Sequence, residues 1–134
     1  MNVFLSHAVK DRELARDVAA ALASAGLTVW DPASEILPGD NWAEKIGRAL
    51  EESEAMVVLL TPEALASDSI RRDVEYALGN PRFKERLIPV LSGSLDSPSG
   101  EGIPWILKRL KTVTLTEDDP SSLGRIAEVL RQAA

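Results

Sequence analysis

VVLLTPEALASDSIRRDVEYA, residues 57–77, is the stretch that decides the fold of this chain. It begins with a fully apolar run, passes through a short turn and ends in a helical pattern with acidic residues near its start. A parallel strand that is covered by helices on both faces gives such an unbroken apolar run. Open α/β sheets bind ligands in the crevice beyond the carboxyl ends of these strands. Asp73 and Glu75, on the helix after the strand, are therefore the carboxylates expected to reach that crevice.

Outward from this stretch, five apolar segments alternate with helical patterns along the 134 residues. This alternation predicts parallel strands joined by right-handed crossovers, with helices on both faces of the sheet. No linker divides the chain, so we expect a single domain over residues 1–134. The predicted strands are Asn2–Leu5, Leu27–Trp30, Glu54–Leu60, Leu87–Leu91 and Thr112–Leu115, and the segment between the last two is predicted as a loop (92–102) and a helical turn (103–110).

Several local features refine the prediction. Proline and glycine predict a loop over Asp31–Asp40, and Asp40 or Asn41 can cap the helix that follows it. Pro89 has no N–H to donate, which predicts an edge position or a bulge for the fourth strand. Three further roles are predicted from position alone: a helix cap by Asp11, and core packing by Trp42 and Trp105.

Composition and charge exclude several classes of function. The formal net charge is −6, whereas a general nucleic-acid surface or an anchor on anionic lipid needs a basic face. No apolar run approaches the ~20 residues of a membrane span, and the N-terminus does not read as a signal peptide. With no cysteine and one histidine, we expect neither a disulfide nor a zinc site. The expectation is a cytoplasmic protein.

Motifs of several other α/β proteins are missing from the sequence. It contains no GxGxxG fingerprint and no GxxxxGK[ST] phosphate loop. It has no GxSxG elbow, and its lone His7 lies near the N-terminus, which argues against a Ser-His-Asp hydrolase. The third strand ends in Leu-Leu-Thr, where a phospho-acceptor receiver domain would carry an aspartate.

Several segments, taken in order, resemble a TIR (Toll/interleukin-1 receptor) domain of the bacterial type. The resemblance covers essentially the whole chain. It implies a flavodoxin-like three-layer α/β sandwich, with a five-stranded parallel sheet in the order 2-1-3-4-5 and Asp31–Asp40 as the so-called BB loop. The matching segments are VFLSH (3–7), GLTVW (26–30), ALEES (49–53) before MVVLLT (56–61), SDSIRRDVEYAL (67–78) and RLIPVL (86–91).

What the resemblance implies about function divides in two. Some TIR domains are enzymes that cleave the nicotinamide–ribose bond of NAD and release nicotinamide with ADP-ribose or a cyclic isomer, in bacteria often for defence against phage. Others are assembly modules that pair with further TIR domains and catalyse nothing. A third alternative is a TIR domain that makes, or responds to, a cyclic nucleotide signal. In the first case NAD is the substrate, and no cofactor or metal is expected.

The resemblance also assigns the catalytic carboxylate. In the family's enzymes one Glu on the helix after the third strand contacts the ribose, and a Trp precedes it by four residues. A register without gaps places Asp73 and Ser69 at these positions. Asp73 would then stabilise the oxocarbenium-like transition state as nicotinamide leaves. Glu75, roughly 200° away around the helix, could replace Asp73 only with a shifted helix start. The shorter carboxylate and the absent Trp are the sequence argument for a non-catalytic module.

Further residues are candidates for substrate binding. Ser6 and His7 end the first strand, where the family's enzymes contact the ribose and phosphates, although both could simply form a turn. The exposed apolar tip of the Asp31–Asp40 loop is expected to be a substrate gate or a self-association contact. The remaining candidates are Trp30 beside the nicotinamide ring or in the core, Ser53 before the central strand, Arg71 on pyrophosphate or paired with Glu75, and the loop tip residues Leu37, Pro38 and Gly39.

Overall fold

The computed structural model describes residues 1–61, 64, 67–83, 86–92, 112–115 and 121–133. Within these residues the chain forms a sheet of five parallel strands in the order β2-β1-β3-β4-β5, which confirms the predicted flavodoxin-like arrangement. The strands are β1 (Asn2–Ser6), β2 (Thr28–Trp30), β3 (Ala55–Leu60), β4 (Leu87–Ser92) and β5 (Val113–Leu115). The helices are α1 (Arg12–Ser24), α2 (Pro32–Glu35), α3 (Trp42–Glu52), α4 (Asp68–Leu78) and α5 (Ser121–Ala133), with 3₁₀ turns at Val9–Asp11 and Pro81–Phe83.

The sheet is covered on both faces, because successive side chains of a strand point to opposite sides. One face packs against α1 and α5, and the other packs against α3 and α4. All six residues of β3 are buried, so the unbroken apolar run in the sequence is explained by a central strand with helices above and below it. The first face contains Val3, Leu5, Val57 and Leu59 with Val18, Leu22, Ile126 and Leu130, and the second contains Phe4, Met56, Val58 and Leu60 with Leu50, Ile70 and Val74.

Capping residues fix where the site-forming helices begin. Asn41 Oδ1 accepts a hydrogen bond from the Glu44 N–H at 3.1 Å, so Asn41 rather than Asp40 caps α3. Ser67 Oγ accepts from the Ile70 N–H and starts α4, which ends at Gly79 as the sequence predicts. Asp11 stands at the N-cap position of α1, but its side chain makes no cap hydrogen bond. The predicted capping hydrogen bond from Asp11 is therefore wrong, because its carboxylate instead accepts a hydrogen bond from Thr61, directly after β3.

Two other expectations are corrected by the sheet. Pro89 marks neither an edge nor a bulge: β4 lies between β3 and β5, and its register with β3 runs unbroken through Pro89. Pairing with β5 begins only at Val90, so Pro89 lies outside that ladder. The N–H that proline lacks is therefore not needed for a hydrogen bond to β5. Residues 32–35 form the short helix α2 inside the predicted loop. The predicted segments after Ser92 and before Val113, with Trp105, lie outside the described residues. In the described part of the chain no helix is long and apolar enough to cross a membrane.

The buried centre of β3 should dominate stability. Leu59 is fully buried, so Leu59→Ala should lower the free energy of unfolding by about 2–5 kcal/mol through lost burial and the cavity left behind. Leu78→Ala is the matched control, because Leu78 is 41% exposed at the end of α4 and should change it by only about 0.5 kcal/mol. Urea denaturation measures both, and equal losses would contradict a core centred on β3.

Candidate functional site

A cleft of about 330 Å³ lies at the carboxyl edge of the sheet. It sits near the end of β1, where the chain first crosses to β2 on one side and then to β3 on the other. Ligands of open α/β folds bind at such a switch point. The helices α1, α3 and α4 return from this edge, so their first turns face the cleft. Its lining includes His7, Val9, Arg12, Pro32, Trp42, Ile46, Ser67, Ser69 and Asp73.

Asp73 brings a carboxylate from α4 to the cleft. Its Oδ2 accepts a hydrogen bond from Ser6 Oγ at 2.8 Å, and Ser6 itself is buried at the end of β1. Burial raises the pKa of Asp73, although the Ser6 hydroxyl and the positive charge of Arg72 act in the opposite direction. The result is a desolvated acidic group that is held in place and faces open volume.

His7 is held between two acceptors. Its Nε2 lies 2.7 Å from Asp31 Oδ1 and its Nδ1 lies 2.8 Å from the Ala8 carbonyl oxygen. A neutral imidazole can donate only once, so the protonated ring satisfies both contacts. Burial lowers the pKa of His7, but the hydrogen bond to Asp31, the Ala8 carbonyl and the charges of Asp31 and Asp11 outweigh it and raise the pKa. A buried histidine–carboxylate pair, which is ionic where His7 is protonated, thus joins the ends of β1 and β2.

A third contact completes the edge. Thr61, the residue after β3, donates its Oγ1 hydrogen to Asp11 Oδ2 and accepts the Ala64 N–H at 3.1 Å. Three pairs that each contain an aspartate therefore connect the ends of β1, β2 and β3 with one another and with α1 and α4: Ser6–Asp73, His7–Asp31 and Thr61–Asp11. In the described part of the chain, no group of three or more His, Cys, Asp or Glu side chains is arranged to hold a metal ion.

Comparison with known proteins identifies the family. A family model described as TIR domain matches residues 3–127. The chain belongs to the TIR domain family. No curated protein sequence matches this chain. The family includes enzymes that cleave NAD, and TIR domains commonly self-associate.

Solved structures share the fold at low sequence identity. The TIR domain of the Toll-related receptor TRR-2 from Hydra magnipapillata is 21% identical with a TM-score of 0.74, over 96% of this chain and 97% of that one. A TIR-STING receptor from C. gigas, solved with 2′,3′-cGAMP, is 22% identical with a TM-score of 0.77, over 96% of this chain and 38% of that one. The TIR domains of the activated Roq1 resistosome are 17% identical with a TM-score of 0.59, over 95% and 83%.

Asp73 lines the cleft of this TIR domain, whereas Glu75 does not. Glu75 is exposed and does not line the cleft, because two helical positions separate the side chains by roughly 200°. Arg71 is also outside the cleft. Its guanidinium lies 3.8 Å from Asp68, so the expected pair with Glu75 is replaced by an exposed contact one turn earlier. Arg71 is therefore not positioned by the cleft for a phosphate.

Trp30 and Ser53 lie at a different cavity. The Trp30 ring stacks on Phe4 with centroids 5.3 Å apart, which is the packing alternative of the two roles considered for it. Ser53 Oγ donates to the Ala49 carbonyl at 2.6 Å and ends α3. Both residues line a second cavity of about 260 Å³ with the strand starts Asn2 and Thr28. Ser53 precedes β3 and so belongs to the opposite edge of the sheet, which corrects its predicted place in the pocket.

The BB loop presents its tip to solvent. Leu37 is 62% exposed, and Pro38 and Gly39 are exposed beside it, outside the cleft lining. Asp40 holds this tip: its carboxylate accepts the Leu37 N–H and contacts the Lys45 ammonium, each at 2.8 Å. The hydrogen bond with Lys45, followed by that with Leu37, lowers the pKa of Asp40. Gly39 has φ +93, a backbone region that favours glycine.

Several residues that line the cleft were not predicted from the sequence. Trp42, predicted as core, is 50% exposed and lines the cleft. Arg12, Ser67 and Ser69 also line it from the first turns of α1 and α4 or the cap of α4. One signal could have found them, because helices that follow parallel strands begin at the carboxyl edge, so their first residues border the ligand crevice.

The His7 pair should make stability depend on pH. The pKa of His7 is higher in the folded protein than its ordinary 6.5, so its contribution is full below about 6.5 and is lost as pH rises through the folded value. His7→Gln should cost roughly 1.5–3 kcal/mol at pH 5.5, since it removes hydrogen bonds from a charged group. Urea unfolding from pH 5 to 9 measures this, and parallel pH profiles for wild type and His7→Gln would contradict a charged His7.

Proposed function

We propose that this TIR domain, of the bacterial type, cleaves the nicotinamide–ribose bond of NAD in the carboxyl-edge cleft, with Asp73 as the catalytic carboxylate. We further propose that it acts in the cytoplasm, in defence against phage or in signalling. The observation that carries the proposal is the Asp73 carboxylate, desolvated, hydrogen-bonded by Ser6 and facing a cleft of about 330 Å³. Perturbed carboxylates in clefts are candidates for catalysis.

Cleavage of the nicotinamide–ribose bond is favoured by a negative charge beside the ribose. As the C1′–N bond breaks, its electron pair leaves with nicotinamide, which becomes neutral, and positive charge develops on the sugar. An ionised Asp73 would stabilise that charge more strongly in a desolvated cleft than in water. The Ser6 hydroxyl and Arg72 favour the ionised form that the reaction needs. Water then adds its oxygen to C1′ and releases a proton to give ADP-ribose, or an adenine nitrogen attacks to give a cyclic isomer.

The size of the cleft is consistent with part of a dinucleotide. Ligand pockets commonly hold ~300–1,000 Å³, and 330 Å³ lies near the lower end. We propose that the nicotinamide riboside half occupies the cleft and that the rest of NAD extends across its mouth. The position of Arg12 at the cleft, rather than Arg71, supports a phosphate contact from α1.

The second candidate function is a non-catalytic assembly module. The observation that favours it is the BB loop tip, where an apolar Leu37 is held out to solvent by Asp40. A rigidly presented apolar side chain is suited to a contact with another TIR domain. Assembly and catalysis are compatible, so the tests below separate them.

Nicotinamide release tests the catalytic proposal. Purified protein at high concentration is incubated with NAD, and nicotinamide and ADP-ribose isomers are resolved by chromatography. Asp73→Asn should lower turnover by about 100-fold or more, because it removes the stabilising charge. Glu75→Gln is the matched control and should retain turnover. At pH 7 Asp73→Asn should unfold no more easily than wild type, because the raised pKa of Asp73 means that folding disfavours its charged form.

Two results would count against this assignment. If release survives in Asp73→Asn and fails in Glu75→Gln, then Glu75 is the carboxylate. If no nicotinamide appears even in concentrated wild-type protein that has assembled, the assembly module becomes the preferred function.

The loop tip is tested by self-association. Leu37→Ser should weaken association in sedimentation velocity, because it removes the exposed apolar contact, while the free energy of unfolding changes by only about 0.5 kcal/mol. Leu78→Ser is the control. Leu78 is also exposed, but it is the last residue of α4 and does not belong to the loop. Equal association of wild type and Leu37→Ser would remove the loop tip from the interface.

A further inference from the structure

We propose that Trp42 is a ring-binding residue of the cleft, whose indole face recognises a planar cationic heterocycle and so distinguishes a pyridinium from its neutral form. This inference rests on the proposed function, because the nicotinamide ring of NAD is such a cation. It assigns a specificity role to a residue that the catalytic proposal does not use.

The exposure of Trp42 is the first argument. Trp42 is 50% exposed. Tryptophan side chains are usually well buried, because their large apolar surface is costly to leave in water. It lines the cleft that Asp73 also lines. Within the described part of the chain, Trp30 stacks on Phe4 and Tyr76 meets Phe83 edge to face, but the Trp42 ring contacts no other aromatic ring. Trp42 is therefore a half-exposed aromatic side chain in the wall of the cleft, without an aromatic partner among the described residues.

The position of the indole is fixed by the helix that carries it. Trp42 is the first residue of α3, directly after the Asn41 cap. A helical side chain leans toward the N-terminus of its helix, so Trp42 projects beyond the helix end toward the carboxyl edge of the sheet. Ile46 lies one turn later on the same face and lines the cleft as well. Trp42 thus stands on a supported helix rather than on a mobile loop.

The charges around the cleft favour a cationic ring beside Trp42. The face of an indole carries negative potential and attracts cations, and Asp73 adds a carboxylate to the same cavity. When His7 is protonated, its charge is paired with Asp31. Arg12 lines the cleft from α1 and would repel a pyridinium but attract phosphate. A ligand with a cationic ring and an anionic diphosphate therefore has a partner for each end.

The experiment uses two probes that cannot be cleaved. 1-Methylnicotinamide carries the pyridinium charge without a glycosidic bond, and nicotinamide is its neutral counterpart. Binding to the full chain is measured by NMR titration at pH 7 for wild type, Trp42→Leu and Trp42→Phe. Wild type should bind the cation roughly 10-fold more tightly than the neutral ring, Trp42→Phe should keep part of this preference, and Trp42→Leu should lose it. Trp30→Phe is the matched control and should bind as wild type.

The outcomes separate this inference from the proposed function. Cation preference that depends on Trp42, in a protein that releases no nicotinamide from NAD, would support the ring site and overturn NAD cleavage. Cleavage of NAD with an unchanged KM and unchanged ring preference in Trp42→Leu would overturn the ring site alone. Equal binding of both probes to wild type would also overturn it. So would a Trp42→Leu variant that loses only self-association, because Trp42 would then be a contact between copies.

Discussion

The burial of β3 on both faces is the constraint on which the rest of the structure depends. Each residue from Ala55 to Leu60 is at most 1% exposed, so a polar group inside this strand would need a buried partner. Polar side chains that could take part in chemistry are therefore found beyond the end of the strand, beginning with Thr61. Because β1 and β2 run parallel to β3, their ends meet at the same edge. The convergence of Ser6, His7 and Asp31 near Thr61 follows from this.

Polar groups at that edge are tolerated because each has a partner. Three aspartates, from α4, the end of β2 and the start of α1, pair with Ser6 and His7 at the end of β1 and with Thr61 after β3. Among the described residues no buried side-chain nitrogen or oxygen lacks a hydrogen-bond partner. Such pairs are stable when both partners can form the hydrogen bond, and a buried partner that is left without one is destabilising. Asp73 differs from the other two in lining the cleft itself, and its burial acts against its charge. A destabilised charge in an open cleft is a common cost of function.

The cleft and the loop tip are separate surfaces of one edge. Pro32 of the Asp31–Asp40 loop lines the cleft, while Leu37 is exposed to solvent on a turn held by Asp40. The first residues of the loop are tied to the site through the Asp31–His7 pair. In a family with both enzymes and assembly domains, this arrangement accommodates both properties.

The sequence by itself determined the order of strands and helices, the central place of β3 and the ends of α3 and α4. These features depend on how apolar residues are spaced along the chain, which follows the repeat of a strand or a helix. They also depend on capping side chains such as Asn41 and Ser67. The sequence also singled out Asp73, Ser6 and His7 at the carboxyl edge. Only the tertiary structure showed that Asp73 lines the cleft and Glu75 does not, that Ser53 and Trp30 lie at another cavity, and that Trp42 lines the cleft instead of lying in the predicted core. The reason is physical: hydrophobicity is a local property of a residue, whereas the neighbours that bury or expose it come from strands and helices paired far along the chain.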